Sequence, residues 1–205
     1  MLIEWYGHSA FKITTDNYAI FLDPFQNESV PGLPNISSKA NYVNCSHEHF
    51  DHNSRGNIEV EEITPPEKLK ISHVSSWHDH HQGAHRGPNS ITVIENENLK
   101  LIHLGDLGEI PQELDPLLID ADVLMIPVGG KYTISTKEAY ELIDLLKPRI
   151  IIPMHYRNKE DGSGFDDIDD ITLFQSLNSK FPYTRLNSNQ LLISPKLKGI
   201  YQLCL

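Results

Sequence analysis

Cysteine is almost missing from this chain. Cys45 and Cys204 are the only two in 205 residues and lie far apart, so neither a disulfide framework nor a CxxC zinc or redox motif is available. Cationic side chains are also scarce. Seventeen Lys and Arg stand against 28 Asp and Glu, a formal net charge of −11, and nucleic-acid affinity depends on cations that neutralise phosphates. No stretch approaches the roughly 18 to 20 apolar residues that a membrane-spanning helix needs. The first residues, MLIEWYGHSAFKI, show no basic leader followed by an apolar run. These absences predict a cytoplasmic protein with no nucleic-acid or membrane partner, and they leave a homo-oligomer open. A hydrophobic content of 39% suffices for one substantial core, so a single domain spanning residues 1–205 is expected.

What the chain has in excess is histidine. Eight of its eleven histidines fall between His47 and His85, and neutral imidazole is the commonest nitrogen ligand of transition metals. The densest stretch is HEHFDH, residues 47–52, which sets His47, His49, Asp51 and His52 within six positions directly after the short apolar run NYVNCS. This is not the spacing of a zinc-binding helix, where two histidines at i and i+4 share a face. Here a strand-to-loop turn must fan the side chains out. Asp51 and His52, being adjacent, must point in different directions, an arrangement better suited to two neighbouring metals than to one.

Periodicity gives a coarse framework. LIEWY, AFKITT and AIFLD alternate like a strand meander with tight turns, whereas residues 27–40, NESVPGLPNISSKA, read as a loop that could cover a site. YVNCS, KLKISHVSS, SITVIEN and LKLIHL continue the strand pattern, with ENEN as a hairpin turn. ADVLMIPV and RIIIPM are continuous apolar runs, as expected of strands covered on both faces. Between them STKEAYELIDLLK places Ala139, Leu142, Ile143 and Leu146 on one helical face, with Ser135 and Glu138 spaced as a capping box. DDITLFQSLNSK predicts a second amphipathic helix, and NQLLIS and GIYQL two last strands. Further polar residues follow apolar runs: His78 in SSWHDHH, Asp106 in LIHLGDLG, His155 in IIPMHY, and the glycine turn PVGGKYT. Loops held at strand ends are where sites are normally built.

The HxHxDH motif, followed in order by His78, the aspartate of HLGDLG and the histidine of IPMHY, resembles the metallo-β-lactamase-fold hydrolases. GHSAF, HDHHQGAHRGPNS and PVGGKYT are similar to the compact branch that includes ascorbate phosphate lactonase-like proteins. The likeness runs from Gly7 to Tyr156. It implies an αββα sandwich, two mixed sheets packed face to face with helices outside and the site at one edge. It also implies that His47, His49 and His78 bind one divalent ion, that Asp51, His52 and His155 bind a second, and that Asp106 bridges them. Zn(II) suits a histidine-rich set, with Mn(II) and Fe(II) as alternatives. Such a pair activates water as hydroxide to cleave a small ester, lactone or phosphoester. Asp51 is then the candidate to orient the nucleophile and Tyr156 a candidate proton donor. Arg86, Asn89, Lys131 and Tyr132 are candidates to bind an anionic or hydroxylated substrate. His8 and His103 read as supports behind the ligands or as core, and His80, His81 and His85 as pocket wall or surface. The alternatives are a di-iron or other redox protein, whose relatives carry a carboxylate where His49 stands, and a scaffold that keeps its metals without catalysis.

Overall fold

The alternation at the start of the chain becomes pleated strands. In the computed structural model, which describes residues 1–205, β1 (Leu2–Gly7), β2 (Ala10–Thr15) and β3 (Tyr18–Leu22) turn Ile3, Trp5, Phe11, Ile13, Ile20 and Leu22 to one side. Ala10 and Phe21 face the other, as the period of two requires. Next come β4 (Ser38–Ala40), β5 (Tyr42–Asn44), β6 (Ile58–Val60), β7 (Lys70–Trp77), β8 (Pro88–Glu95) and β9 (Lys100–His103). The remainder is β10 (Val123–Pro127), α1 (Thr136–Leu146), β11 (Ile150–Met154), α2 (Ile171–Leu177), β12 (Tyr183–Arg185), β13 (Gln190–Leu192) and β14 (Gly199–Gln202).

Two mixed sheets form, a five-stranded one in the order β13-β1-β2-β3-β5 and a seven-stranded one in the order β12-β14-β11-β10-β9-β8-β7. They share one core, to which β1, β2 and β3 contribute one face and β8 to β11 most of their side chains. The helix α1 buries Ala139, Leu142, Ile143 and Leu146 and is started by the Ser135–Glu138 capping box. Its Tyr140 stacks on Phe174 of α2 at 4.7 Å. The architecture is the αββα sandwich, with one departure. The far face of the five-stranded sheet carries no helix; Phe21 and Ala10 are covered instead by Phe25, Val30, Ile36, Ala40 and Ile58. Residues 27–40, expected as a loop, end in β4, which pairs in parallel with β6. The rest of that segment is packed rather than poised over the site: the Gly164 amide donates to Pro31 and Leu33 lies under Gly7.

The second helix is shorter than expected, ending at Leu177 because Asn178 turns to ψ 113°. No helix is long and apolar enough to cross a membrane. Phe21 is fully buried, so Phe21→Ala is expected to destabilise the fold by about 3–5 kcal/mol, whereas Leu192→Ala, at a side chain 69% exposed, should stay within about 0.5 kcal/mol. Urea unfolding of the two variants measures both.

Candidate metal centre

Strand direction brings the polar residues together. Within the five-stranded sheet β1, β3 and β5 run the same way, and within the seven-stranded sheet so do β7, β9, β10 and β11. Their carboxyl ends therefore share an edge of the sandwich. His8 follows β1, Asp23 follows β3, the 47–52 turn follows β5, His78 follows β7, Asp106 lies just past β9 and His155 follows β11.

The turns are shaped by close approaches. Gly105 adopts φ +56°, and a Cβ there would meet Asn89 Oδ1 and Ser46 Cβ at 2.5 Å. A Cβ on Gly108 would stand 2.1 Å from the Asp79 amide nitrogen, so both glycines flanking Asp106 are required by contact with the neighbouring turns. Asn89 fixes this turn further. Its amide donates to the Leu104 carbonyl at 2.9 Å and its side-chain oxygen accepts from the Asp106 amide at 3.0 Å.

At the centre stands the Asp106 carboxylate, 2% exposed. Its Oδ2 lies 3.2 Å from His52 Nε2, 3.2 Å from His78 Nε2, 3.1 Å from His155 Nε2 and 3.9 Å from His47 Nε2. Three sets of donor atoms lie here, the atoms of each set within 4.8 Å of one another: His47, His49 and His78 on one side, His8, Asp51, His52 and His155 on the other, and Asp23 with His47 and His52 behind them. Proton bookkeeping shows which imidazole nitrogens face inward as lone pairs. Asp23 accepts from the Ser46 hydroxyl at 2.5 Å and from His52 Nδ1 at 2.8 Å. With its proton committed to Asp23, Ser46 Oγ must accept from His47 Nδ1 at 2.9 Å. That leaves His47 Nε2 bare and turns His52 Nε2 inward towards Asp106; neither has a hydrogen-bond partner, nor has Asp106 Oδ1. Buried polar atoms are almost always satisfied, and bare nitrogens backed by a carboxylate or hydroxyl are how proteins present imidazole to a metal.

The electrostatics treat the two imidazoles differently, and the charge favoured at His52 is one a bound cation could supply in place of the proton. Burial disfavours charge on His52, yet Asp106 and Asp23 outweigh it and hold its pKa well above the usual histidine value. Burial would likewise raise Asp106, but His155 and His52 keep it well below the usual carboxylate range. His47 is pushed down to about 3, by burial first and then by His52. The site thus favours positive charge between its carboxylates while holding His47 neutral, the form that binds a metal.

The sequence profile of the β-lactamase superfamily domain matches residues 2–155. The chain belongs to the metallo-β-lactamase superfamily. A metal-dependent hydrolase of Pyrobaculum arsenaticum is 30% identical over 193 residues, covering 76% of this chain and 84% of that one. A solved Thermotoga maritima protein of the same superfamily is 32% identical with a TM-score of 0.75, over 98% of this chain and 97% of that one. A metallo hydrolase of Ignicoccus hospitalis, 18% identical with a TM-score of 0.57 over 85% and 88% of the two chains, shares the fold.

In this member of the superfamily the centre opens into a cavity of about 390 Å³ whose outer wall includes Phe50, Arg86, Tyr132, Phe165 and Asp167. Arg86 lies over the Tyr132 ring at 4.2 Å, so these two candidates meet at the mouth. The other expectations shift. Lys131 is exposed and paired with Asp167 at 2.6 Å, and Tyr132 donates its hydroxyl to the same carboxylate. Asn89, expected to meet substrate, is 2% exposed with its amide fully used, which makes it a brace for Asp106. Tyr156, expected to donate a proton, is 5% exposed and stacked on Trp5 at 5.8 Å; burial raises its pKa far above normal, and it belongs to the core. His80, His81 and His85 are on the surface, and His103 is a core histidine held between the Ser9 carbonyl and the Gly105 amide.

Sequence reasoning missed Asp23, Phe50, Phe165 and Asp167. It also missed Asp79, whose carboxylate accepts from the amides of His81, Gly83, His85 and Arg86. Only the run of amide-rich turn residues after Asp79 hinted at its part. Asp79→Ala should leave the core intact while the 81–87 amides exchange at least about tenfold faster; hydrogen exchange resolved by residue measures this, and unchanged protection there would refute Asp79 as the hub of the turn.

Proposed function

We propose that this chain, a metal-dependent hydrolase by family, uses two divalent ions to cleave an ester, lactone or phosphoester of a small anionic molecule. The observation that carries the reading is the pair of donor groups meeting at one buried carboxylate: His47, His49 and His78 for one ion, Asp51, His52 and His155 for the other, and Asp106 between. The unsatisfied His47 Nε2, His52 Nε2 and Asp106 Oδ1 fit such ions. Bound there, two ions supply a water acidified to a pKa of about 7 and a Lewis acid for a carbonyl or phosphoryl oxygen. No serine or cysteine nucleophile is then needed.

The chain's own side chains divide the remaining work. Asp106 is buried and serves to hold charge together. Asp51 reaches the cavity; burial would raise its pKa, but the neighbouring imidazoles of His8 and His52 lower it, so its carboxylate is ionised and available to bind an ion and orient water. Arg86, with Tyr132 behind it, presents a cation at the mouth, and Phe50 and Phe165 supply apolar wall. Zn(II) is the first metal to supply, with Mn(II) and Fe(II) next.

The test is elemental analysis of untagged protein, with turnover on panels of lactones, esters and chromogenic phosphodiesters before and after chelation. About two ions per chain and chelator-sensitive turnover are expected. Protein that stays inactive after reconstitution with Zn(II), Mn(II) or Fe(II) would sink the reading in favour of a scaffold. Asp106→Ala should lower turnover at least about 1,000-fold, the scale of metal-borne charge stabilisation. Asp23→Ala should weaken metal binding about 10–100-fold through loss of the His52 partner, read by chelator competition. Arg86→Gln should raise KM about 10–100-fold for an anionic substrate and leave a neutral ester unaffected.

A further inference from the structure

His8 is the least satisfied side chain of the molecule. It is 3% exposed, and neither ring nitrogen has a hydrogen-bond partner. Its backbone is held in the left-handed region at φ +51°, in the two-residue turn between β1 and β2 where glycine or asparagine is the usual choice. Its carbonyl is fixed there by the Trp5 indole at 3.1 Å and the His155 amide at 3.3 Å. A strained, buried, unpartnered imidazole is costly, and such outliers concentrate at functional sites.

The ring points into the second donor group. Its centroid lies 4.2 Å from that of His155 and 5.2 Å from that of His52, and its Nε2 is 3.4 Å from Asp51 Oδ2. That distance is long for an N–H···O bond, usually about 2.7–3.2 Å. Two atoms bound side by side to one ion at about 2.0–2.2 Å sit roughly 3.0–3.5 Å apart, which is the spacing seen. The donor atoms of His8, Asp51, His52 and His155 all lie within 4.8 Å of one another, compatible with a single ion.

We infer that His8 is itself a ligand of the second metal position, alongside Asp51, His52 and His155. The inference rests on the two-metal reading above and adds a donor to it. With Asp106 the second position then draws on three imidazoles and two carboxylates, while the first draws on three imidazoles and Asp106. The second position should therefore take a higher coordination number and prefer Mn(II), Fe(II) or Co(II) over Zn(II), which favours four ligands.

His8→Asn is the variant of choice, because asparagine tolerates a positive φ and is too short to reach Asp51. Wild type is expected to hold about two ions per chain by elemental analysis. The variant should hold about one, or bind its second ion at least about tenfold more weakly in chelator competition, with the melting temperature of the metal-stripped proteins unchanged. Two ions retained with wild-type affinity would overturn the inference and leave His8 as packing. A second measurement needs no variant: in Co(II)-loaded wild type, six imidazoles with hyperfine-shifted ring resonances (His8, His47, His49, His52, His78, His155) support it, and five without His8 overturn it. Wild type that holds fewer than two ions fails the two-metal reading itself, a result distinct from loss of the second ion in the variant alone.

Discussion

One carboxylate oxygen, Asp106 Oδ2, sits within 3.2 Å of three imidazole nitrogens on a side chain that is almost wholly buried. An isolated buried anion is prohibitively costly, so this group persists only if positive charge is brought to it. Much of the architecture can be read as meeting that demand. The histidines come from strands in both sheets, and they meet because every contributing strand delivers its carboxyl end to the same edge. The glycines on either side of Asp106 let its turn press against Ser46 and Asp79. Asn89 and Asp23, neither of which lines the cavity, spend their hydrogen bonds on holding Asp106 and His52 in place. Removing Asp23 would free His52 to turn away, whereas removing Asn89 or either glycine would loosen the Asp106 turn itself.

The placement also separates stability from chemistry. The shared core is made of isoleucine, leucine, valine and aromatic side chains, most of them from the two sheets, and the polar cluster begins only where those strands stop. A sheet interior is close-packed and resists adjustment, while turns at its edge can change length and composition without disturbing it. In this chain the far face of the five-stranded sheet is covered by loops and short strands rather than by a helix, and the packed segment 27–40 is tied to the 158–164 turn through Pro31 and Gly164. The cavity wall on that side therefore comes from Phe165 and Asp167, which lie just beyond that turn. A covering layer chosen for packing has set the shape of the mouth.

These structural levels were legible in the sequence to different degrees. Long alternating strands, the buried runs at β10 and β11, and α1 with its capping box were readable because a period or a cap repeats a local physical rule several times over. The three-residue strands β4, β6 and β12 contain too few residues to display any period, and the partners that define β4 and β6 are 20 residues apart. In the site, the histidines and aspartates of the motif could be singled out by type and order. Asp23 could not, because an aspartate before Pro24 reads as an ordinary turn and its role depends on His52, 29 positions away. Asn89 and Tyr156 were misjudged for the same reason: adjacency to motif residues says nothing about which way a side chain points. Asn89 turned inward to the Asp106 backbone, and Tyr156 into the core against Trp5.

Charge at the mouth follows from the same accounting. The chain as a whole is strongly acidic, and the field far from the site repels anions. At the mouth the two cations are placed differently. Lys131 is cancelled by Asp167, which also takes the Tyr132 hydroxyl, whereas Arg86 is placed over an aromatic face instead of a carboxylate. An arginine stacked in this way keeps its charge and loses its freedom to turn. The local cation is thus pre-oriented towards the cavity, and a ligand bearing a planar carboxylate or a phosphate can meet it without first displacing an internal partner. Selection between substrates would then lie in the few residues from Asp79 to Arg86 and from Phe165 to Asp167, which meet the centre only at its rim, where Asp79 backs the Gly108 turn and the Phe165 ring meets His8 at 5.5 Å.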